Sequence, residues 1–328
     1  MFPIENERYT APSISVILPS YNRLDILKRV LKSLEEQNIP GERFEIVVSD
    51  DCSSDGTREF LQLYKRDNGN TFKYVLAKCN SGPACARNLA LQKSKGELII
   101  IIGDDIIVEP AFVGKHIRWH ECHPEREYAV LGHVAWPDSI FPSRFMHWLY
   151  NGGKQFFFNF SSFRSGEQIN CQNFYTCNVS VKRGILEGDL FDESFAFASH
   201  EDLELGERLG RKGMKLFYCD DILGHHHHFL RIEGIARRVY LMGRSAHIFW
   251  QKVPDGSSIF KKILRNVVKT CASVPGIYSC LLMLLRVREN ENQDYPIRWK
   301  LILTMCYWLG LADAQKKKKI RTFQEKWN

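Results

Sequence analysis

Two adjacent acidic residues, Asp104 and Asp105, follow five apolar residues at positions 98–102, with only Gly103 between them. The apolar run predicts a buried central strand, which places both carboxylates at its carboxyl end, the edge of an open α/β sheet where ligands bind. Removing carboxylates from water is costly unless a cation offsets their charge. A divalent cation is the simplest candidate, and oxygen ligands favour Mg²⁺ or Mn²⁺ together with substrate phosphates. The alternative is turn chemistry, with both acids solvated or capping a helix near Pro110.

Two further acidic pairs and one arginine have side chains suited to chemistry. Asp50 and Asp51 follow another apolar run in a polar loop, and Arg87 lies near the start of a predicted helix. Glu201 and Asp202 begin another predicted helix, which has acids in its first turn. Simpler explanations stay open for each: turn and cap chemistry for the first pair, helix-dipole stabilisation for the second, and a solvated helix surface for Arg87.

Four consecutive histidines occupy positions 225–228, after a short predicted strand at 216–219. Neighbouring residues of an extended chain point to opposite sides, so the four cannot all reach one ion. His226 and His228 share a face, and a neutral imidazole beside carboxylate and phosphate oxygens is acceptable to Mn²⁺. A purely structural role for these histidines is equally compatible with the residues alone.

These residues must be positioned by alternating strands and helices. Strands are predicted at residues 13–18, 44–48, 74–77 and 98–102, with helices near 24–36, 60–64 and 84–93 between them. Such alternation predicts an α/β fold with a parallel sheet and its post-strand loops gathered at one edge, where a nucleotide would bind. Later strands are predicted at 128–134 and 177–181, and the aromatic stretch 137–164 is expected to form functional loops.

Three spaced motifs extend this interpretation. The first reads Pro19-Ser-Tyr21-Asn22, the second runs from Asp50 to Thr57 as Asp-Asp-Cys-Ser-Ser-Asp-Gly-Thr, and the third contains Asn80, Gly82, Ala86, Arg87 and Asn88. With the acidic pairs, these segments resemble the family 2 glycosyltransferases over about residues 12–247. That resemblance implies a GT-A fold, Rossmann-like with a mixed, mainly parallel sheet flanked by helices, and a nucleotide-diphosphate sugar as donor. Family members often have acids flanking one residue at the metal motif, whereas this chain has Gly103 at the first of those positions.

The resemblance implies roles for individual residues. Asp105 would be the direct metal ligand, with Asp104 nearer the ribose, and His226 would complete the shell of Mn²⁺ or Mg²⁺. Asp202 would be the general base of an inverting displacement, and Glu201 would hold it or the acceptor. The remaining donor-binding residues would be Pro19, Tyr21, Asn22, Asp50, Asp51, Gly82 and Arg87.

Composition and charge limit the other function classes. The 328 residues are 44% hydrophobic with a formal net charge of +7, a globular composition with enough apolar material for a large core. The ten cysteines lack zinc-site spacing and the chain begins without a signal peptide, so we expect reduced thiols and a cytoplasmic location. No nucleic-acid-binding motif is present. We expect a catalytic domain at residues 1–250 and a basic, amphipathic helical region at 251–328.

That C-terminal region combines lysines and arginines with apolar and aromatic residues. Its densest apolar run, residues 274–285, is too short to span a bilayer and is interrupted by Pro275 and Gly276. We therefore expect helices near 259–287 and 299–311 that lie on the anionic inner face of the cell membrane. Packing of these helices on the catalytic domain, or on a second copy in a homo-oligomer, is the alternative.

The sequence therefore predicts an inverting, metal-dependent glycosyltransferase of the hexosyltransferase type. It would transfer a sugar from a nucleotide diphosphate, with a UDP-sugar favoured, to a saccharide or lipid-linked saccharide hydroxyl in cell-surface glycan synthesis. A nucleotidyltransferase would also need a metal and a nucleotide pocket, but it would favour a Gly-rich, basic first loop, which residues 19–23 are not. A catalytically inactive, membrane-associated nucleotide-sugar-binding protein would carry the same motifs.

Overall fold

In the computed structural model, the chain folds into two compact units. The first comprises residues 1–137, 164–193 and 205–227, and the second residues 138–163, 194–204 and 228–328. The residues that the structure describes are 14–39, 44–68, 71–137, 139–140, 142–151, 153, 156–188, 190–197, 199–253, 276–286 and 294–321.

A nine-stranded sheet forms the centre of the described part of the first unit. Its strands are β1 (Ile14–Ser20), β2 (Phe44–Asp50), β3 (Phe72–Leu76), β4 (Leu98–Ile102), β5 (Ile106–Val108), β6 (Tyr128–Ala135), β7 (Gln168–Ile169), β8 (Asn178–Lys182) and β9 (Lys215–His226). The strand order is β3-β2-β1-β4-β8-β6-β9-β5, and β7 pairs with β9. The half from β3 to β4 is parallel, whereas β8 lies antiparallel between β4 and β6, and β5 and β7 lie antiparallel to β9.

Four helices of the first unit flank this sheet: α1 (Leu24–Glu35), α2 (Thr57–Asn68), α3 (Pro83–Lys93) and α4 (Phe112–Cys122). α1 buries an apolar stripe that includes Leu27, Val30 and Leu34, at the spacing of one helix face. α3 packs on β1 and β2, and α4 packs on β6 and β9. The central strand β4 is apolar throughout, with Ile99 to Ile102 completely buried, as expected of a strand covered on both faces. The predicted mixed α/β sheet flanked by helices is confirmed.

β9 departs from the sequence-based prediction. The expected strand at 216–219 was wrong in length, because β9 continues to His226. Its pairing with β6 jumps from Gly132↔Cys219 to His133↔Leu223, so three residues of β9, 220–222, bulge out of the ladder. Two of these residues are Asp220 and Asp221, and in the sequence two acids after an apolar run indicate that a strand ends there. The bulge lets β9 continue to Ile106↔His226, one of the three pairs that join it to β5.

The described part of the second unit is helical. It contains α5 (Arg144–Asn151), α7 (Ile232–Lys252), α8 (Ile277–Arg286) and α9 (Pro296–Gln315), and α6 (Glu201–Arg211) begins in it. α7 and α9 cross closely at Gly243 and Gly310, where an added Cβ would lie 1.9 Å from a backbone oxygen of the opposite helix. The predicted helical C-terminal region is therefore confirmed, although residues 254–275, 287–293 and 322–328 of that region fall outside the described residues.

Among the described helices, none combines the length and apolarity needed to cross a bilayer. α7 passes through residue 250, the predicted limit of the catalytic domain. The division of the chain into a catalytic domain and a C-terminal region at that residue stays a prediction.

Candidate active site

Loops that follow β1 and β2 meet at one edge of the sheet, because these parallel strands end in register at Ser20 and Asp50. Asn22 joins the two loops. Its side-chain oxygen accepts the Ser54 backbone N–H at 2.7 Å, and its own N–H donates to the Ser53 hydroxyl at 2.8 Å. Asn22 has φ of 51°, a left-handed conformation that asparagine tolerates better than most residues. Of the two other first-motif candidates, Pro19 lies within β1 and Tyr21 is exposed.

Asp50 and Asp51 are both buried, but their carboxylates accept hydrogen bonds from different segments of the chain. Asp50 accepts the backbone N–H of Ser53 at 3.3 Å, which is ordinary turn chemistry. Asp51 accepts two backbone N–H groups, from Ser81 at 2.9 Å and from Gly82 at 2.8 Å, across about thirty residues of sequence. Burial raises the pKa of Asp51, and these two donors offset part of that rise. Gly82 has φ of 90°, a conformation that favours glycine, so the turn before α3 can present its N–H to Asp51.

Arg87 is not the solvated helix residue that its sequence alone would allow. It is buried on α3, with its guanidinium carbon 5.3 Å from the centre of the Phe191 ring. The neighbouring Asn88 fixes that aromatic segment, since its side chain accepts the Phe191 N–H and donates to the Phe191 carbonyl, both at 2.9 Å. The first and second predicted motifs and the start of α3 therefore form one connected edge of the first unit.

The acidic pair after β4 lies against a cation that sequence reasoning missed. Arg23 forms ion pairs with both Asp104, at 3.1 Å, and Asp105. Burial raises the pKa of Asp104 to about 6, and the Arg23 charge opposes that rise. A counter-charge was expected here, and Arg23 supplies one. The need for a counter-charge therefore no longer argues for a metal by itself.

An imidazole beside Asp105 gives a more specific argument for a metal. His226 Nε2 lies 3.1 Å from Asp105 Oδ2. His228 follows His226 two residues further along the chain and belongs to the second unit. A carboxylate oxygen with an imidazole nitrogen is a donor set that Mn²⁺ accepts, so Asp105 and His226 fit a divalent cation.

The other two histidines of the run point elsewhere. His225 Nε2 lies 3.6 Å from the carboxylate of Glu109, and His227 Nδ1 lies 3.2 Å from the guanidinium of Arg29. This is the alternation expected of an extended chain. The departure of Gly103 from the family motif also has a local reason, because a Cβ at this position would lie 2.8 Å from Asp105 Oδ1.

A buried polar network places His226 opposite Asp105. The Asn178 side-chain nitrogen donates to the carbonyls of His133 and Ile222, both at 2.9 Å. Ile222 belongs to the bulge of β9, so Asn178 holds the bulge and with it the register of the strand's last four residues. The same amide faces Gly132 closely, where a Cβ would lie 2.3 Å from its nitrogen. Sequence reasoning assigned no role to Asn178.

Two buried histidines of α4 complete this network. Because the Asn178 nitrogen donates to two carbonyls, its oxygen must accept, and His116 Nε2 at 3.1 Å must carry the hydrogen. His116 Nδ1 then accepts from the Ser180 hydroxyl at 2.9 Å, and that hydroxyl accepts from His120 Nε2 at 2.9 Å. Burial lowers the pKa of both His116 and His120 to about 3, so both are neutral at physiological pH.

Glu201 and Asp202 lie at the start of α6, within the second unit, and both are buried. Glu201 accepts the Ser199 N–H at 2.6 Å, and Asp202 Oδ1 lies 2.9 Å from the Leu203 N–H. The preceding His200 is buried against the Phe249 ring at 5.3 Å, and burial lowers its pKa to about 4. Acids at a helix start stabilise the helix, so this geometry accommodates both the helix-dipole explanation and a catalytic role.

Comparison with known proteins identifies the family. A family model described as Glycosyl transferase family 2 matches residues 15–188, more than half of the chain. The chain belongs to this family. This identification confirms the resemblance and the general class of enzyme, a glycosyltransferase.

Individual members resemble parts of the chain. An uncharacterized glycosyltransferase from Bacillus subtilis, YfnE, is 28% identical over 256 residues, 65% of this chain and 64% of YfnE. TarS from Staphylococcus aureus, a poly(ribitol-phosphate) beta-N-acetylglucosaminyltransferase, is 34% identical over 110 residues, 31% of this chain and 19% of TarS. The matches thus span less than two thirds of either relative.

Solved structures confirm the GT-A fold. The mannosyltransferase PcManGT from Pyrobaculum calidifontis, in complex with GDP-Man and Mn²⁺, has a TM-score of 0.60 at 17% identity, over 95% of this chain and 89% of PcManGT. Residues 1–349 of TarS, in complex with UDP-GlcNAc, give 0.51 at 15% identity, over 94% of this chain and 93% of that structure. At such identities the likeness concerns the fold.

Proposed function

We propose that this glycosyltransferase inverts the configuration of its sugar and requires a divalent cation, Mn²⁺ or Mg²⁺. The observation that carries the proposal is the 3.1 Å contact between Asp105 and His226 at the sheet edge. Asp105 and His226 would hold the cation, and Asp104 would lie nearer the ribose. When bound, the cation would offset the charge of the departing diphosphate. The Mn²⁺ present with PcManGT supports this choice of ion.

The donor is proposed to be a nucleotide-diphosphate sugar, with UDP favoured. Asp51 would accept the imide N–H of the base, which its position at the end of β2 and its fixed carboxylate support. Arg87 would add positive charge beside the diphosphate. The UDP-GlcNAc bound to TarS supports a UDP-sugar. We also propose a saccharide or lipid-linked saccharide hydroxyl as acceptor, in cell-surface glycan synthesis. The GalNAc(5)-diNAcBac-PP-undecaprenol beta-1,3-glucosyltransferase of Campylobacter jejuni, 33% identical over 94 residues, supports this class of acceptor.

Asp202 is proposed as the general base. It would take the proton from the acceptor hydroxyl while that oxygen bonds to the anomeric carbon and the bond from this carbon to the diphosphate oxygen breaks. Attack opposite the leaving group inverts the configuration. Glu201 would position Asp202 or the acceptor, in keeping with its burial at the same helix start.

An apolar patch in the second unit supports binding to an anionic membrane surface. The patch consists of Ile297 and Leu301, one turn apart on α9, whose exposed fractions are 84% and 48%, and Met283 of α8 is also exposed, at 66%. On α9, Lys300 is exposed on the face of Ile297 and Leu301, and exposed lysines at 316–319 follow the helix. Apolar side chains combined with basic ones suit the interface of an anionic membrane, so we propose a peripheral location on the inner face of the cell membrane.

Replacement of the proposed base tests the catalytic assignment. Asp202→Asn keeps the side-chain size but cannot accept a proton, so turnover of a UDP-sugar with Mn²⁺ should fall by about 10²- to 10⁴-fold with little change in the donor KM. Glu207→Gln, on the same helix and paired with Arg211, is the matched control and should keep wild-type turnover.

The product's anomeric configuration, read by NMR, tests the stereochemical claim separately. Retention of configuration, or near wild-type turnover in Asp202→Asn, would overturn the assignment. A wild-type protein that binds nucleotide sugars but neither transfers nor hydrolyses any of them would instead be an inactive binding protein.

A further inference from the structure

Arg23 contacts the same carboxylate oxygen that faces His226. Its guanidinium Nη1 lies against Asp105 Oδ2, and Nε2 of His226 lies 3.1 Å from that oxygen. The guanidinium also reaches Asp104 Oδ1 at 3.1 Å, so one nitrogen bridges the two acids. We infer that Arg23 holds the cation position in the metal-free protein and must leave Asp105 before a divalent ion can bind. This inference rests on the proposed metal-dependent function.

The competition follows from charge and geometry. A guanidinium keeps its proton at any physiological pH, so Arg23 cannot vacate the oxygen by titration. A divalent ion within ligand distance of Asp105 would repel the guanidinium at close range. Asp104 is 7% exposed, and both acids need a cation at this edge of the sheet. If a divalent ion replaces the guanidinium, both acids have a cation beside them before and after the exchange.

The location of Arg23 makes such an exchange feasible. It directly precedes α1, outside the helix, and its side chain is 38% exposed. A rotation about its side-chain bonds can therefore carry the guanidinium into solvent without disturbing the core. Once displaced, the guanidinium would have a new anionic partner in the donor diphosphate. Metal and donor would then bind cooperatively, each raising the affinity of the protein for the other.

Mn²⁺ titration monitored by electron paramagnetic resonance tests the inference on nucleotide-free protein. Arg23→Gln removes the competing charge, so its Mn²⁺ dissociation constant should be about two- to fivefold lower than that of wild type, the range expected for one partly exposed charge pair. Arg23→Lys keeps the charge and should bind Mn²⁺ nearly as weakly as wild type. Arg29→Gln is the matched control, since Arg29 contacts His227 and neither acid. With saturating UDP, the advantage of Arg23→Gln should disappear.

The outcomes separate this inference from the proposed function. Mn²⁺ binding by a folded Arg23→Gln variant that is equal to or weaker than that of wild type would overturn the exchange. An equal gain in Mn²⁺ affinity in Arg29→Gln would also overturn it, because it would show that the loss of any nearby positive charge favours Mn²⁺. Absence of Mn²⁺ binding by wild type both with and without UDP would overturn the metal-dependent function too. If Arg23→Gln does not fold, the rate at which phenylglyoxal modifies Arg23 in the wild-type protein tests the exchange instead. Mn²⁺ should increase this rate, and an unchanged rate would refute the exchange.

Discussion

Acid should weaken this protein through the two buried histidines of α4 before most carboxylates titrate. His116 and His120 are neutral in the folded protein, with pKa values lowered by burial to about 3, against an ordinary value of 6.5. A lowered folded-state pKa means that the unfolded chain binds more protons as the pH falls. Their contribution is therefore intact above about pH 6.5 and is lost progressively as the pH falls toward about 3.

The size of the effect follows from linkage. At about pH 5.5, one unit below the ordinary pKa, protonation of the unfolded chain lowers the free energy of unfolding by about 1.4 kcal/mol per histidine, about 3 kcal/mol for the pair. The environment resists protonation in the folded state, since His120 Nδ1 has no hydrogen-bond partner among the described residues. A typical domain has only about 5–15 kcal/mol of stability, so the loss is measurable.

Urea unfolding of His120→Gln at about pH 7.5 and about pH 5.5 tests this prediction. The variant lacks one titrating imidazole, so it should lose about 1.4 kcal/mol less than wild type between the two pH values, whatever its stability at neutral pH. His147→Gln, on the exposed surface of α5 and outside this network, is the control for the effect of a histidine-to-glutamine replacement itself. An identical loss in wild type and His120→Gln would refute the conclusion that His120 is held neutral.

Two further predictions concern the bulge of β9 and the C-terminal helices. Asn178→Ala leaves the His133 and Ile222 carbonyls without their amide donor, so the free energy of unfolding measured with urea should fall by roughly 2–4 kcal/mol. A fall below about 1 kcal/mol would argue against a structural role for Asn178. Ile297→Asp places a negative charge at the exposed apolar patch, so in vesicle flotation the protein should move from the anionic vesicles to the soluble fraction. Leu63→Asp, at an exposed leucine of α2, is the control and should float like wild type. Wild-type flotation that is indifferent to lipid charge and salt would favour packing of the patch on a second copy.

The sequence was sufficient to predict the elements that depend on local pattern. Periodicity predicts β1, β2, β4 and α1 almost at their observed positions. A strand buried on both faces needs a continuous apolar run, and a helix buried on one face needs an apolar stripe, so both are recognisable in the sequence. The acids at the strand ends could be found for the same reason. Their partners could not, because Arg23 and Asp104 are 81 positions apart in sequence and no local pattern links them.

The position of His226 shows most clearly what sequence patterns leave undetermined. Alternation along an extended chain separates His226 from His225, but it does not fix which of the two faces Asp105. That choice depends on the three-residue bulge in β9, because a bulge shorter or longer by one residue would present His225 or His227 instead. The bulge is held by Asn178, a residue on another strand whose side-chain oxygen accepts from His116, and His116 in turn contacts Ser180. The candidate metal pair is thus set by tertiary hydrogen bonds in the core, and its integrity depends on histidines that do not touch it.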